Sequence, residues 1–71
     1  MSGKVQTILF PKDEWTITEA KVWLDEHHYK NNSLDITEEH YRFRQMTPMK
    51  GGRYITKTLP NGVEIVIHYY N

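Results

Sequence analysis

Four histidines and a few acidic neighbours are the residues of this 71-residue chain that could take part in metal binding or catalysis. His27 and His28 are adjacent in a segment that we predict to be helical, where neighbouring side chains point about 100° apart. They therefore cannot hold one ion together, and no histidine or carboxylate pair occurs at zinc spacing. We predict no metal site. His28 has a structural use instead, because positive charge near a helix C-terminus complements the helix dipole.

Acid–base and nucleophilic catalysis have little support in the sequence. Glu38 and Glu39 precede His40, but neighbouring residues on a strand face opposite ways, so a solvated charge cluster is the simpler interpretation. No hydroxyl lies in a nucleophile-elbow pattern, and the Lys-Gly-Gly at 50–52 is too short to cradle a phosphate. We therefore predict that the chain is not an enzyme and needs no cofactor. The alternative is a small enzyme, or part of one, that needs a partner chain to supply the missing groups.

Arginine and aromatic residues alternate in HYRFRQM, residues 40–46. Such alternation is typical of a strand with one buried face and one solvated face. If Tyr41 and Phe43 point to the core, then Arg42 and Arg44 emerge on the opposite side. Arginines and exposed rings contribute much of the binding energy at protein interfaces, and they also stack on single-stranded bases.

Size and composition restrict the class of protein. A chain of 71 residues forms a single domain, which we assign to residues 1–71. It has no cysteine, so it has neither a disulfide framework nor a thiolate metal site, which favours a reducing compartment. No apolar run is long enough to cross a bilayer, and no signal-peptide pattern is present. We expect a soluble protein that is not secreted and does not contact a membrane.

Charge is balanced over the whole chain but not along it. Nine basic and nine acidic residues give a net charge of zero, which disfavours non-specific binding to nucleic acid. Residues 1–40 carry four Lys and eight Asp or Glu, a balance of −4, whereas residues 41–71 carry five Lys or Arg and one Glu, a balance of +4. The simplest interpretation is that the acidic half contains the helix and the basic half the strands.

Local patterns predict the elements that position these residues. KVQTILF, residues 4–10, predicts a strand that ends at Pro11. Thr16 lies three residues before Glu19, which is the capping-box spacing at the start of a helix. A helix of about three turns, ending near His28, follows from the helical spacing of four apolar residues: Ile17, Ala20, Trp23 and Leu24. The alternation in residues 33–37 predicts a short extended piece.

The C-terminal segment RYITKTLPNGVEIVIHYY predicts two strands joined by a turn. Because Pro60 has no N–H, a three-residue loop with Gly62 in a left-handed bulge fits better than a two-residue turn. Leu59 then pairs with Val63, and the pairing continues back along both strands. We expect the apolar residues of one face to enter the core: Ile55, Leu59, Val63, Ile65 and Ile67. The other face is predicted to be wetter.

Together these patterns predict an α+β two-layer domain, with a mainly antiparallel sheet of three to four strands and one helix packed on one face. The predicted order is strand, helix, short extended piece, strand, strand, strand. The sheet face away from the helix carries the candidate partner-binding residues: Arg42, Arg44, Tyr54, Thr56 and His68.

That face predicts a protein partner, and the alternatives are a nucleic acid held by the same residues or a solvated face with no partner. The last strand offers a second surface, because VEIVIHYY, residues 63–70, has few charges. If this strand lies at an edge of the sheet, its unpaired backbone groups can add a second copy and form a homodimer.

About residues 6–70 resemble a small viral domain in their overall pattern. Three segments carry the resemblance: ILFPKDEWTITEAKVWLDEHHYK, HYRFRQM and GVEIVIHYY. The domain occurs in proteins of tailed bacteriophages and some large DNA viruses, in regions associated with head morphogenesis and sometimes next to a prohead-protease module. The resemblance implies a viral protein that acts through contacts, as a virion assembly component or an inhibitor of a host factor. Its location would be the cytoplasm of the infected cell or the virion.

The chain departs from the expected pattern at the end of the helix. The resemblance leads us to expect a glycine at the position of His28. Either the relationship is more distant, or the helix ends without a residue in the left-handed conformation.

Overall fold

The protein is described by a computed structural model that covers residues 2–47 and 50–70. Within these ranges it contains one helix and five strands: β1 Ser2–Pro11, α1 Ile17–Glu26, β2 Leu34–Ile36, β3 His40–Arg44, β4 Arg53–Thr58 and β5 Glu64–Tyr70. The strands form a single sheet in the order β2-β3-β1-β5-β4, and every neighbouring pair is antiparallel. No helix in the described ranges is both long enough and apolar enough to cross a bilayer.

The α+β class and the order of the elements are confirmed. The sheet has five strands rather than three to four, because the short extended piece pairs with β3 as a strand of its own. In that pair Leu34 lies opposite Phe43, and Ile36 lies opposite Tyr41. β1 is longer than predicted at both ends and has a neighbour on either side, β3 and β5.

The core lies between α1 and the sheet. Its fully buried apolar residues come from both layers: Ile8, Phe10, Ala20, Leu24, Phe43 and Val63. Phe10 is central, because its ring meets three others edge to face, with centroids 5.1 Å from Trp15, 5.7 Å from Trp23 and 5.6 Å from Phe43. The burial of large rings in this geometry makes Phe10 a main source of the apolar stabilisation.

The orientation predicted for β3 is confirmed. Phe43 is fully buried in the core, and Tyr41 packs against it. The register places Phe43 opposite Ile8 of β1, which in turn lies opposite Ile65 of β5, so these residues share the face that α1 covers. Arg42 and Arg44 therefore project from the other face of the sheet.

The helix begins where the capping box predicts. The Glu19 backbone N–H donates to Thr16 Oγ1 at 3.1 Å, and the Thr16 N–H donates to Glu19 Oε1 at 3.0 Å. These two bonds satisfy donors that would otherwise lack a partner in the first turn. Ala20 and Leu24 are fully buried, and Trp23 packs partly buried against the core, as the helical spacing predicts.

The end of the helix corrects one expectation, because it does have a left-handed residue. His28 has φ 62°. Its N–H donates to the Asp25 carbonyl oxygen at 3.2 Å, and the Tyr29 N–H donates to the Leu24 carbonyl oxygen at 2.8 Å. This pair of bonds is the Schellman arrangement, which usually has glycine where this chain has His28.

Replacing His28 by Gly is expected to stabilise the protein. A residue with a Cβ in the left-handed conformation costs about 1–2 kcal/mol, and glycine avoids that cost but loses more backbone entropy on folding. We expect the free energy of unfolding to rise by about 0.5–1 kcal/mol, measured by urea unfolding. His27→Gly is the control, since the C-cap residue His27 has φ −100°. A His28→Gly variant no more stable than the parent contradicts this account.

The loop between β4 and β5 has the predicted geometry. Gly62 has φ 88°, the Leu59 N–H donates to the Val63 carbonyl oxygen at 2.8 Å, and the Gly62 N–H donates to the Leu59 carbonyl oxygen at 3.0 Å. Trp15 Nε1 donates to the Asn61 carbonyl oxygen at 3.1 Å and so ties this loop to the segment before α1. The register of the β4–β5 hairpin follows from this loop.

The expectation that Ile55 enters the core is wrong. Val63 is buried, and Leu59 and Ile65 pack against the core, but every residue of β4 is exposed and Ile55 is 42% exposed. α1 packs over β1 and β3, whereas β4 is the edge strand two positions beyond β1. A single helix of ten residues does not cover five strands.

The last strand does not lie at an edge of the sheet, which corrects the condition set for a homodimer through it. That prediction required β5 to lie at an edge, but β5 pairs with β1 on one side and with β4 on the other. Its backbone groups are therefore used within the sheet. The edges of the sheet are β2 and β4.

Candidate interaction site

The sheet face that points away from α1, which we call the open face, carries the residues of the candidate site. The strand registers arrange its side chains in cross-strand rows from β3 to β4: Arg42, Leu9, Glu64 and Thr58 form one row, and Arg44, Thr7, Val66 and Thr56 form the next. Cationic side chains therefore lie at the β3 end of the open face and hydroxyl groups at the β4 end. Between them lie Leu9 and Val66, beside Glu64 and the buried Thr7.

Two apolar side chains form the centre of the open face. Leu9 of β1 and Val66 of β5 are half-buried, and neither belongs to the core under α1. An apolar centre with a polar rim is the usual anatomy of a protein interface. Leu9 is not among the candidate residues predicted from the sequence. The signal was present, because inward-pointing Ile8 and Phe10 require Leu9 to point outward.

Asp35 of β2 positions the two arginines at one end of the face. Arg44 Nη2 lies 3.2 Å and Arg42 Nη1 lies 3.7 Å from the same atom, Asp35 Oδ2. The arginine side chains are 35% and 44% exposed, so these ion pairs add little stability. Each guanidinium uses one nitrogen in this contact, which leaves further N–H donors available. The carboxylate offsets one of the two positive charges.

Tyr54 and Thr56 lie at the other end of the open face, on β4. Both are exposed, and Tyr54 has 47% of its surface accessible. Two strands, β1 and β5, separate β4 from β3, which corresponds to about 14 Å at the usual strand spacing. The predicted site residues are therefore two ends of one surface rather than a single cluster.

His68 does not belong to the accessible surface, which corrects the prediction for this residue. Its side chain is fully buried. The ring stacks on Tyr54 with centroids 4.6 Å apart and lies 5.5 Å from the Tyr70 ring. Nε2 lies 2.6 Å from the Gly51 carbonyl oxygen, so Nε2 carries the hydrogen, whereas Nδ1 has no partner among the described residues. His68 is a structural residue that anchors residues 50–52.

A β-bulge anchors the start of the same connection between β3 and β4. The β1–β5 register shifts between Val5 and Thr7, which makes Gln6 the extra residue. The Gln6 carbonyl oxygen accepts from the Gln45 N–H at 2.8 Å, and Gln6 Nε2 donates to the Met46 carbonyl oxygen at 3.3 Å. Gln6 and Thr7 are both buried and hydrogen-bonded to each other. The accessible part of the open face is thus the part around Leu9 and Val66.

His40 pairs with Glu64 and not with Glu38 or Glu39, its acidic neighbours in the sequence. His40 Nε2 lies 2.7 Å from Glu64 Oε2, and this contact joins β3 to β5 across β1. Glu38 and Glu39 instead line a shallow depression of about 430 Å³ with His40 and the end of β1. No hydroxyl group bonds to the His40 ring among the described residues. The His40–Glu64 pair therefore cross-links strands.

The other two histidines lie at the end of α1 and do not converge on a common point. The His27 ring stacks on Trp23 at 3.9 Å between centroids, and His27 Nδ1 lies 2.8 Å from the Trp23 carbonyl oxygen. In the part of the chain that the structure describes, no three His, Asp or Glu side chains are grouped so that they could hold a metal ion.

Comparison with known proteins finds no relative of this chain. No protein-family model matches the chain, and neither curated proteins nor solved structures give a match.

Proposed function

We propose that this chain is a non-enzymatic protein-binding module that contacts its partner through the open face. One observation carries the proposal: α1 covers only one side of the sheet, and the other side has Leu9 and Val66 at the centre of a polar rim. A sheet face with no function as an interface is usually polar throughout, whereas this one keeps apolar side chains half-buried between charged and hydroxyl groups.

The chemistry of the face defines the kind of partner. Leu9 and Val66 favour an apolar patch on the partner. The guanidinium groups of Arg42 and Arg44 favour carboxylates at one side of that patch, because they bind planar anions in two-point contacts. Tyr54 and Thr56 at the far end supply a ring and a hydroxyl group that suit a mixed surface.

The resemblance of residues 6–70 to a domain of tailed phages and large DNA viruses supports a viral setting for this contact. In that setting the partner is a structural component of the particle or a host factor that the protein inhibits. The protein then works in the cytoplasm of the infected cell or within the virion.

A nucleic acid is the alternative partner for the same face. Arg42 and Arg44 would contact phosphates, and an exposed ring such as Tyr54 would stack on bases. We favour a protein, because Asp35 offsets one of the two arginine charges and the chain has a net charge of zero. Binding through several phosphates would weaken steeply with added salt.

The substitution Val66→Arg tests the proposal, with Val22→Arg as the matched control. Both valines are replaced in the same way, but Val22 lies exposed on α1 and Val66 lies at the centre of the open face. Immobilised parent chain and Val22→Arg are expected to retain the same protein from a lysate of infected cells. Val66→Arg is expected to retain roughly tenfold less of that protein, because residues at the centre of an interface contribute most of the binding energy and a charge placed there opposes binding.

Circular dichroism first establishes that both variants remain folded. Equal retention by Val66→Arg and Val22→Arg contradicts binding through the open face. Retention of nucleic acid instead of protein, with a steep loss on raising the salt concentration, supports the alternative.

A further inference from the structure

The two edges of the sheet differ in length and in protection. β2 has three residues, whereas β4 has six, and all six are exposed. Natural edge strands are commonly blocked by proline, by a bulge or by short length, since a regular edge can pair with another chain. β4 contains no proline, and its register with β5 is unbroken. The charges of Arg53 and Lys57 are the main feature of β4 that opposes pairing with another chain.

The backbone groups that face this edge follow from the hairpin loop. The Leu59 N–H donates to the Val63 carbonyl oxygen, so this residue pair is a hydrogen-bonded pair. Bonded and non-bonded pairs alternate along an antiparallel ladder. Lys57 is therefore bonded to β5, whereas the N–H and C=O groups of Thr56 point away from β5 towards the open edge.

We propose that two copies of this chain associate by antiparallel pairing of β4 with β4, with the two copies of Thr56 opposite each other on a two-fold axis normal to the sheet. The Thr56 pair then exchanges two backbone hydrogen bonds, and the two sheets join into one of ten strands. Two-fold symmetric dimers are the commonest soluble homo-oligomers. This inference is independent of the partner proposed for the open face.

Side-chain complementarity selects this register over its neighbours. Residues that lie opposite each other in an antiparallel ladder point to the same face of the sheet. The two-fold axis must therefore pass between two copies of the same residue, because successive residues along a strand point to opposite faces. An axis at Ile55 places Arg53 opposite Lys57 of the second copy, and an axis at Lys57 places Lys57 opposite itself. Both arrangements oppose like charges, which is destabilising. An axis at Thr56 avoids this.

The Thr56 register also covers apolar surface that the monomer leaves open. It places Ile55 opposite Lys57 of the second copy, whose aliphatic stem can lie over the isoleucine while its ammonium group reaches water. Ile55 is 42% exposed in the single chain, and the neighbouring Ile67 is only half-buried. The net charge of zero adds no long-range repulsion between copies. Because one strand pair buries little area, the dimer is expected to be weak.

Cysteine cross-linking tests the register, because the chain has no cysteine of its own. In the proposed dimer the two Thr56 Cα atoms are about 5.5 Å apart, which a disulfide spans. The two Thr58 Cα atoms are more than about 13 Å apart, which a disulfide does not span. Under mild oxidation, Thr56→Cys is expected to form a disulfide dimer roughly tenfold faster than Thr58→Cys. Equal rates, or a faster rate for Thr58→Cys, overturn the register.

Sedimentation equilibrium tests the dimer without a new covalent bond. The parent chain is expected to shift from monomer towards dimer as its concentration rises from about 10 μM to about 1 mM. Thr56→Pro is expected to remain monomeric and folded, because the N–H that proline removes faces the open edge. Thr56→Val is the control that keeps the N–H and the dimer. A parent chain that stays monomeric throughout, or a Thr56→Pro variant that dimerises like the parent, overturns the proposal.

Discussion

Replacing Phe10 by Ala is expected to lower the free energy of unfolding by about 3–5 kcal/mol, the usual cost of removing a buried phenylalanine ring. Phe10 is fully buried and meets the rings of Trp15, Trp23 and Phe43 edge to face. A chain of this size is stable by roughly 4–10 kcal/mol, so the substitution removes much of the total. The variant is expected to be largely unfolded at moderate urea concentrations that leave the parent intact.

Leu9→Ala is the control for Phe10→Ala. Leu9 is the next residue along β1 but lies half-buried on the open face, outside the core. Its truncation removes fewer packed atoms, and we expect a loss of about 1 kcal/mol. Urea unfolding followed by circular dichroism measures both variants. Equal losses for Phe10→Ala and Leu9→Ala would mean that the core does not lie where this structure places it.

Replacing Gly52 by Ala is expected to cost about 2–4 kcal/mol, for two reasons that add. Gly52 has φ 74°, a conformation that costs a residue with a Cβ about 1–2 kcal/mol. An added Cβ would also lie inside van der Waals contact of the Tyr69 carbonyl oxygen and 2.7 Å from His68 Nε2. Residues 50–52 would have to move, which breaks the bond between His68 and the Gly51 carbonyl oxygen.

Gly51→Ala separates the two reasons. Gly51 has almost the same φ, 78°, but an added Cβ there would meet no atom within 4 Å. Gly51→Ala is therefore expected to cost only about 1–2 kcal/mol, the conformational part alone. Thermal unfolding of the two variants side by side measures the difference. Equal midpoints would show that residues 50–52 do not pack on His68 as described.

The elements that the sequence predicted well are those fixed by neighbours in the chain. Thr16 and Glu19 define the start of α1 because a capping box needs only their spacing of three. Pro60 and Gly62 define the β4–β5 loop, because one lacks an N–H and the other accepts a positive φ. The alternation of rings and arginines in β3 gave the correct face for both sets of side chains.

The order of the strands could not be predicted in the same way. Whether β5 lies at an edge depends on its pairing with β1, which brings Ser2–Leu9 next to residues at the far end of the chain. Local alternation records which face a side chain takes but not which strand lies alongside. For the same reason Ile55 was expected in the core, although the position of β4 leaves it beyond the reach of α1.

The sheet face of the candidate residues was predicted from the sequence, whereas the burial of His68 was not. Arg42, Arg44, Tyr54 and Thr56 lie on the predicted face, whereas His68 is buried there by two tyrosine rings and by residues 50–52. That burial depends on the fold of the connection before β4, which no periodic pattern describes. The contact of Asp35 with the two arginines could not be predicted, because it depends on the position of β2 beside β3.

Methyl NMR during titration with the protein that the chain retains tests the central claim most directly. If the open face is the contact surface, the methyl signals of Leu9 and Val66 shift or broaden as the complex forms, while those of Val22 on the outer side of α1 stay unchanged. If instead the Val22 signals respond and those of Leu9 and Val66 do not, the partner binds elsewhere and the proposed function is wrong.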